Sequence, residues 1–251
     1  MGVVPLFICI RKRTLALPAL FCCFMAGLAA VLWFGCRSNP VPAFAVREDL
    51  PVIVVVDPGH GGEDGGAVSP EGVEEARLNL EIALRVRDLL CFSGQRTIMT
   101  RTEDVSIHTE GDTIRARKAS DIRNRVSLVN GTENAVLLSI HQNSLPSSPV
   151  THGAQVFWNG QEGAEALAGL IQDTLNCRIN QGNEKLPKPV PGAVYLMKHI
   201  SAPGVIVECG FLSNGPETAR LQERDYQMRL AAAVAAGYLR CLSGEAADKA
   251  F

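Results

Sequence analysis

Residues 52–67 read VIVVVDPGHGGEDGGA, and this stretch decides the fold. The unbroken β-branched run from Val52 to Val56 is typical of a strand that is buried on both faces, as in a parallel or mixed sheet covered by helices. Asp57, Pro58 and the glycines that follow predict a turn in which the backbone adopts positive φ and lies close to a ligand. His60 lies in this turn, at the carboxyl end of a central strand, where α/β folds keep their chemistry. We therefore interpret His60 as a metal ligand.

The first 45 residues are predicted to lie outside the globular domain. A basic cluster, residues 11–13, precedes an uncharged apolar run, residues 14–35, which as a helix would extend about 33 Å and match the hydrocarbon thickness of a bilayer. The basic side is expected to stay in the cytoplasm and the carboxyl side to be exported to the wall side. Ala43-Phe44-Ala45 fits a small-x-small cleavage site, so residues 1–45 are either a signal peptide or a membrane anchor with its linker.

The remaining residues, 46–251, are predicted to form one α/β domain. A chain of 251 residues with 47% hydrophobic and 20% charged residues can bury one good core and is too short for two large ones. Outside the leader, acidic residues outnumber basic ones, which argues against nucleic-acid binding. The four cysteines of this part show no CxxC spacing, so they indicate neither a disulfide framework nor a zinc finger.

A helix is predicted to run from near Val73 to about Cys91, with Leu78 and Ile82 on its apolar face. Glu75 lies three residues before Leu78 and therefore points with that face toward the sheet, whereas its neighbour Glu74 is rotated toward solvent. An inward-facing acid in the first turn is unusual. It is interpreted as a ligand that joins His60, the alternative being a carboxylate that interacts with the helix dipole.

Two further buried strands are predicted to end in polar side chains. The run from Ala135 to Ile140 ends on His141, and the run from Gly204 ends on Glu208. A lone histidine at a strand end is more often a structural residue, but two histidines at equivalent strand ends favour a shared metal.

The other predicted elements complete an α/β pattern. Strands are expected at residues 95–101, 153–158 and 194–197, and helices at 114–130, 161–179 and 225–242. The proline-containing residues 180–192 are interpreted as a loop on the rim of the cleft. The basic residues of the helix at 114–130, Arg125 among them, are interpreted as a solvated face.

His60, Glu75 and His141 together form a catalytic zinc shell with the fourth position left for water. Zinc would lower the pKa of that water to about 7 and polarise a carbonyl oxygen. Such a site needs a carboxylate that takes the proton of the water and passes it to the leaving amine, and Glu208 is the candidate. The alternative for Glu208 is an acid paired with an arginine such as Arg101.

The same residues lie in segments that resemble the zinc-dependent N-acetylmuramoyl-L-alanine amidases. The matching segments are VVDPGHGGEDGGA with the following Glu75, the Thr100-Arg101 pair, SIHQNS and VECGFLSN. They occur in the order found in that family and span residues 52–242. The resemblance implies that one zinc ion binds to His60, Glu75 and His141 and that Glu208 is catalytic.

The resemblance also implies a fold and a reaction. The fold is a mixed, mostly parallel sheet with helices on both faces. The reaction is hydrolysis of the amide between the lactyl group of N-acetylmuramic acid and L-alanine of the peptidoglycan stem peptide. Arg101 and Asn143 are the expected substrate-binding residues, although Asn143 could equally stabilise its own turn.

Three longer stretches, RKASDIRNRV, GAQVFW and VYLMKHISAPGVIVECGFLSN, are most similar to the spore-cortex, germination-specific members of the family. This implies removal of the stem peptide before a deacetylase acts, which yields muramic-δ-lactam. The expected partners are peptidoglycan, an accessory exported protein or a polysaccharide deacetylase of the same pathway, and the membrane through the amino-terminal segment.

Two other functions remain open at this point. One is a zinc peptidase or carboxypeptidase that acts on wall peptides. It would differ from an amidase in the bond that its cleft recognises and cleaves. The other is a catalytically silent wall-binding or regulatory module, against which the presence of all four site residues argues.

Overall fold

The computed structural model describes residues 51–244 and, outside that range, Met25. The chain divides into two units, Met1–Pro40 and Val41–Phe251, and the fold below is that of the second. The predicted export segment, residues 1–45, lies outside the described residues apart from Met25, so its role stays a prediction. None of the described helices combines the length and the apolarity that crossing a bilayer requires.

Within residues 51–244 the fold is built on a mixed sheet of six strands. The strands are, in chain order, β1 (Ile53–Pro58), β2 (Arg96–Met99), β3 (Ala135–Asn143), β4 (Gln155–Trp158), β5 (Lys188–Pro189) and β6 (Gly204–Phe211). Their spatial order is β2-β1-β3-β6-β4-β5. The first four in this order are parallel, whereas β4 runs antiparallel to β6 and parallel to β5. The predicted mixed, mostly parallel sheet is confirmed.

Helices cover both faces of the sheet. Those of residues 51–244 are α1 (Glu75–Phe92), α2 (Ile114–Gly131), α3 (Ala164–Arg178), α4 (Tyr195–His199), α5 (Gly215–Leu221) and α6 (Arg224–Leu242). Val54 and Val56 of β1 pack with α1, α3 and α6 in one hydrophobic cluster, and Val55 packs with α2 and α4 in another. Because successive strand residues point to opposite faces, the unbroken valine run of β1 supplies both clusters.

The carboxyl ends of β1, β3 and β6 meet at one rim of the sheet. Pro58 pairs with Ile140, and His141 pairs with Glu208, in the register of these parallel strands. The antiparallel β4 brings its first residue, Gln155, beside Glu208 at the same rim. Side chains from distant parts of the chain are therefore neighbours here.

Three elements differ from the sequence-based expectation. Residues 180–192 were predicted to form a loop, but the two-residue strand β5 (Lys188–Pro189) lies within them and pairs with β4. The strand predicted at residues 194–197 is wrong, because this segment forms helix α4; Leu196 and Ile200, four residues apart, are both buried in the second cluster. Helix α5 was not predicted. The sequence signal for this helix is Asn214, a residue type that often caps helix amino termini. In the structure its side chain accepts a hydrogen bond from the Glu217 backbone N–H, as an N-cap does.

Candidate metal centre

Three side chains converge at this rim: His60 from the loop after β1, Glu75 from the first turn of α1, and His141 from β3. The His60 Nε2 atom lies 3.3 Å from Glu75 Oε2, and His141 Nδ1 lies 2.8 Å from Glu75 Oε1. One ligand atom from each residue lies within 4.8 Å of the others. The structure therefore brings together the three residues that the sequence indicated. Two imidazoles and one carboxylate are a donor set that suits zinc.

Glu75 is held in place by backbone and side-chain donors. Its carboxylate accepts hydrogen bonds from the backbone N–H groups of Ala67 (2.9 Å) and Gln142 (3.1 Å) and from Asn79 Nδ2 (3.2 Å). Burial alone would raise the pKa of Glu75, but its hydrogen bonds with the two histidines hold that pKa well below its usual range. The inward-facing acid of the first turn is thus an ionised and oriented group.

His60 is oriented by a carboxylate that sequence reasoning missed. Its Nδ1 atom lies 2.9 Å from Asp64 Oδ2, and Lys118 Nζ lies 2.6 Å from the other oxygen of Asp64. The bond to Asp64 leaves Nε2 of His60 facing Glu75. Ligating histidines commonly use their second nitrogen in this way. The position of Asp64, four residues after His60 in the same loop, was the available signal.

Two glycines of the loop leave the space that the ligands occupy. A Cβ atom on Gly59 would lie 2.1 Å from Nε2 of the His141 ring. A Cβ atom on Gly66 would lie 2.6 Å from Glu75 Oε2, and Gly66 also has a φ of +70°, which favours glycine. The glycine-rich sequence is therefore required by the close approach of backbone and ligand side chains.

Two buried arginines bind the backbone of the His60 loop. Arg125 donates to the carbonyl oxygens of Pro58 (2.9 Å) and His60 (2.7 Å). Arg101 donates to those of Pro58 (3.0 Å) and Gly59 (3.1 Å). These bonds fix the carbonyl groups of residues 58–60. They hold His60 at a φ of 61°, which is unusual for a residue other than glycine.

The charge of Arg125 is balanced beneath the loop by Asp57. Arg125 Nη1 lies 2.5 Å from Asp57 Oδ1, and both side chains are almost fully buried. Asp57 also accepts hydrogen bonds from the hydroxyls of Thr100 and Ser139, each at 2.7 Å. Burial would raise the pKa of Asp57, but Arg125 and these hydroxyls hold it below its usual range. The buried carboxylate is therefore ionised and fully paired.

The expectations for the two arginines need correction. Arg125 was assigned to a solvated face and is instead 2% exposed. Arg101 was assigned to substrate binding, but it is buried and its guanidinium donates to backbone carbonyl oxygens, including those of Ala76 and Glu103. This geometry gives Arg101 a supporting position under the loop, and it also excludes the alternative pairing of Arg101 with Glu208.

Glu208 faces the same centre from β6. It is the register partner of His141, and its buried Oε2 atom has no hydrogen-bond partner among the described residues. Burial raises the pKa of Glu208 to about 7, and the nearby Glu75 carboxylate adds to this rise. Glu208 is therefore a carboxyl group that can accept or donate a proton near neutral pH.

A pocket of about 280 Å³ opens over the centre, and His60, His141 and Glu208 line it. Val194, Tyr195 and Leu196 at α4 form its apolar wall. We refer to it as the metal pocket. Sequence reasoning did not identify Tyr195 as a residue of its lining. Asn143, predicted to bind substrate, is absent from the lining of this pocket. Its side chain accepts a hydrogen bond from the Ser144 backbone N–H, which agrees with a role in its turn, and substrate binding by Asn143 stays a prediction.

The remaining histidines and Cys209 lie elsewhere. His152 and His199 are exposed, and His108 is half-buried against Ser106. Cys209 is fully buried in the first hydrophobic cluster, and burial raises the pKa of its thiol above its usual value. Among the described residues, His60, Glu75 and His141 form the single group of three or more metal-ligating side chains.

Comparison with known protein families gives one match over most of the chain. The model of the family described as N-acetylmuramoyl-L-alanine amidase matches residues 54–240. The matched range includes all three candidate ligands and Glu208. It begins and ends within the described part of the chain.

Individual relatives agree with this match. The germination-specific N-acetylmuramoyl-L-alanine amidase of Bacillus subtilis (strain 168) is 41% identical over 190 residues, which cover 75% of this chain and 78% of that protein. The amidase LytC of the same organism is 27% identical over 205 residues; the alignment covers 78% of this chain and 38% of LytC. This chain therefore matches well under half the length of that relative.

A solved structure shares the fold. It is the CwlD amidase from Clostridioides difficile in complex with the GerS lipoprotein, which is 32% identical in sequence and superposes with a TM-score of 0.73. The superposition covers 77% of this chain and 99% of that chain. The resemblance thus extends from the motifs of the metal centre to the arrangement of strands and helices.

Proposed function

Because the chain belongs to the N-acetylmuramoyl-L-alanine amidase family, we propose that it hydrolyses the amide bond between the lactyl group of N-acetylmuramic acid and L-alanine of peptidoglycan stem peptides. The observation that carries this proposal is the convergence of His60, Glu75 and His141 within 4.8 Å beside the unpartnered oxygen of Glu208. Three ligands and a free acid are the groups that metal-assisted amide hydrolysis requires.

One zinc ion per chain is the proposed cofactor. His60 Nε2, His141 Nδ1 and the ionised Glu75 would hold it, and the buried donors to Glu75 prepare that site. When bound, zinc supplies Lewis acidity, which polarises the amide carbonyl and acidifies a water molecule. Asp64 keeps Nε2 of His60 turned toward the ion, and the two buried arginines keep the backbone of the loop in place.

Glu208 carries the proton in this proposal. As a carboxylate it removes a proton from the attacking water, and as the resulting acid it delivers that proton to the amide nitrogen that leaves as the amine of L-alanine. The pKa near 7 suits both steps, since the group exists in both forms at neutral pH. The free Oε2 atom, which no described residue engages, is the acceptor position.

We further propose that the substrate is the spore cortex. The support is the similarity to a germination-specific amidase and to CwlD. The reaction would then precede the deacetylation that leads to muramic-δ-lactam. Since the solved CwlD structure is a complex with the GerS lipoprotein, an accessory exported protein is a reasonable partner for this chain as well.

Export of the catalytic domain across the cytoplasmic membrane follows from this substrate. Residues 1–45 would act as the export signal, either cleaved after Ala45 or kept as an anchor, and residues 46–251 would form the catalytic domain on the wall side. A fusion of residues 1–45 to a reporter that is active only outside the cytoplasm tests this point. A protease-protected, intact fusion would contradict it.

Digestion of purified peptidoglycan tests the reaction itself. The zinc-loaded protein should release material with new L-alanine amino termini, whereas E208Q should retain stoichiometric zinc and release almost none. A new amino terminus elsewhere in the stem would favour a peptidase, and cleavage unchanged in E208Q would contradict the role of Glu208. H60A should lose zinc; full retention of the metal would remove His60 from the ligand set.

A further inference from the structure

A second concavity, of about 580 Å³, adjoins the metal pocket on the side of β4 and β5. We call it the rim groove. Asn143 and Phe211, which pair in register just beyond His141 and Glu208, line it, and so does Gln155, the register partner of Glu208. The groove therefore lies next to His141 and Glu208, along the same edge of the sheet.

The far wall of the rim groove is a fixed loop that contains Lys185 and Lys188. The backbone of Lys185 is bound on both sides by buried Asn176, whose Nδ2 donates to its carbonyl (2.8 Å) and whose Oδ1 accepts from its N–H (3.0 Å). Gln155 Nε2 donates to the carbonyl of Leu186 at 2.8 Å. Lys188 lies in β5. The backbone that carries the two lysines is therefore fixed along the groove.

The charge of this wall is net positive, since its lining carries two lysines and one acid. Neither Lys185 nor Lys188 forms an ion pair with another residue of the described chain. The one acid of the lining, Glu184, accepts a hydrogen bond from the Gly182 backbone N–H within its own turn. Two free ammonium groups at a groove that continues from the catalytic centre favour an anionic ligand.

We propose that the rim groove binds the stem peptide of the substrate, with Lys185 and Lys188 recognising its carboxylates. This inference rests on the proposed amidase function. The two halves of that substrate differ in charge: the glycan is uncharged once its lactyl carboxyl is in the amide bond, whereas the γ-linked D-glutamate next to L-alanine carries a free α-carboxylate. The charged half therefore matches the cationic groove.

The metal pocket complements this assignment. Its wall of Val194, Tyr195 and Leu196 is apolar, and the Tyr195 ring stacks on His199 with ring centroids 3.9 Å apart, which fixes the aromatic face. An uncharged sugar ring suits an aromatic and apolar wall better than a peptide carboxylate does. The substrate would thus lie across the rim with its glycan toward α4 and its peptide toward β5.

Three soluble substrates test the proposal with the zinc-loaded full chain. They are N-acetylmuramoyl-L-alaninamide, which has no carboxylate; N-acetylmuramoyl-L-alanyl-D-glutamine, which has the free α-carboxylate and an amide at the γ-position; and the corresponding D-glutamic acid diamide, in which the α-carboxylate is an amide as well. The wild type should show its lowest KM with the free carboxylate. The variant K185Q/K188Q should raise that KM by roughly three- to tenfold, in keeping with exposed ion pairs, and leave kcat unchanged. It should not change the KM for N-acetylmuramoyl-L-alaninamide, which has no carboxylate.

K198Q is the matched control, since Lys198 is an exposed lysine of α4 outside the lining of the rim groove. It should leave all three KM values unchanged. Added salt should raise the KM of the wild type for the free carboxylate and have little effect on K185Q/K188Q. If the wild type hydrolyses all three substrates and the double variant keeps the wild-type KM values, the rim-groove proposal is wrong and the amidase function stands. Failure of the wild type both to hydrolyse any of them and to release new L-alanine amino termini from purified peptidoglycan overturns the function itself.

Discussion

At the scale of single residues, Glu208 is the clearest case in which a property useful for chemistry lowers the stability of the fold. A carboxyl group that is buried with an unpartnered oxygen is costly when it ionises, because the protein interior does not replace the lost hydration. Its raised pKa is the expression of that cost. The same raised pKa makes the group a useful proton carrier. Because the buried group is partly ionised at neutral pH, we expect it to destabilise the metal-free fold there.

The metal-free E208Q variant should show this cost as a pH-dependent gain in stability. The pKa of this acid has its ordinary value of 4.5 in the unfolded chain, and burial raises the pKa to about 7 in the folded chain. Between these values the folded state binds more protons, so the stability that Glu208 contributes falls as the pH rises. Relative to wild type, E208Q should therefore gain up to about 3 kcal/mol between pH 4 and pH 8. Urea unfolding of both proteins without metal measures this difference, and a gap that does not change with pH would contradict it.

Arg125 is expected to matter both for stability and for the metal. R125M leaves Asp57 as an unpaired buried charge and should cost about 3–5 kcal/mol. R125K keeps the charge but cannot supply the fork that reaches Pro58 and His60 together, so it should fold and bind zinc about tenfold or more weakly. Competition with a chromophoric chelator measures the affinity. R115M, on the exposed side of the same helix, is the control; equal zinc affinity in R125K and wild type would show that the arginine does not position the loop.

The sequence could predict that the four side chains of the candidate site lie together because their placement follows from simple periodicities. His60, His141 and Glu208 end strands whose carboxyl ends share one edge, and Glu75 faces inward by the helical repeat. The burial of Arg125 could not be predicted in this way. The helix that carries Arg125 is polar on most sides. The side chain is buried because it pairs with Asp57, which lies in β1 and is far away in sequence.

The loop between β1 and α1 is the element on which the centre depends most directly. Its glycines leave no spare space around the ligands: a methyl group on Gly59 would overlap the His141 ring. G59A should therefore displace the imidazole, cost about 1–3 kcal/mol by overpacking, and weaken zinc binding about tenfold or more. Thermal unfolding with and without zinc measures both effects.

G160A provides the comparison for this prediction, since a Cβ at Gly160 meets no atom within 4 Å. It should retain both the stability and the zinc-induced rise in Tm. If G59A shows the same zinc-induced rise as wild type, the close approach of the loop backbone to His141 is not required for binding.

Helix α4 illustrates where element-level prediction fails. Its residues, Tyr195–His199, are too few to establish a helical period, and the short apolar run of residues 194–197 was interpreted as a strand. The deciding contacts are tertiary: Leu196 and Met197 are buried against the second face of the sheet. Only the i, i+4 pair of Tyr195 and His199, which stack in the structure, pointed to a helix.

At the scale of the whole molecule, the hydrophobic clusters and the metal centre all lie within residues 51–244. We therefore predict that residues 46–251 fold without the leader, unfold in a single cooperative urea transition and bind one zinc ion. Activity on soluble substrate should match that of the full chain. A fragment that is unfolded by circular dichroism, or that folds without binding zinc, would contradict this domain assignment.

The spread of the four key side chains along the chain has a further consequence. All three candidate ligands precede β4, whereas Glu208 comes only with β6, after most of the polypeptide. A chain clipped between these strands would be divided into a piece with the ligands and a piece with the acid. In the proposed export, the acid would be the last of these four side chains to cross the membrane, so a partly exported chain would lack a complete site.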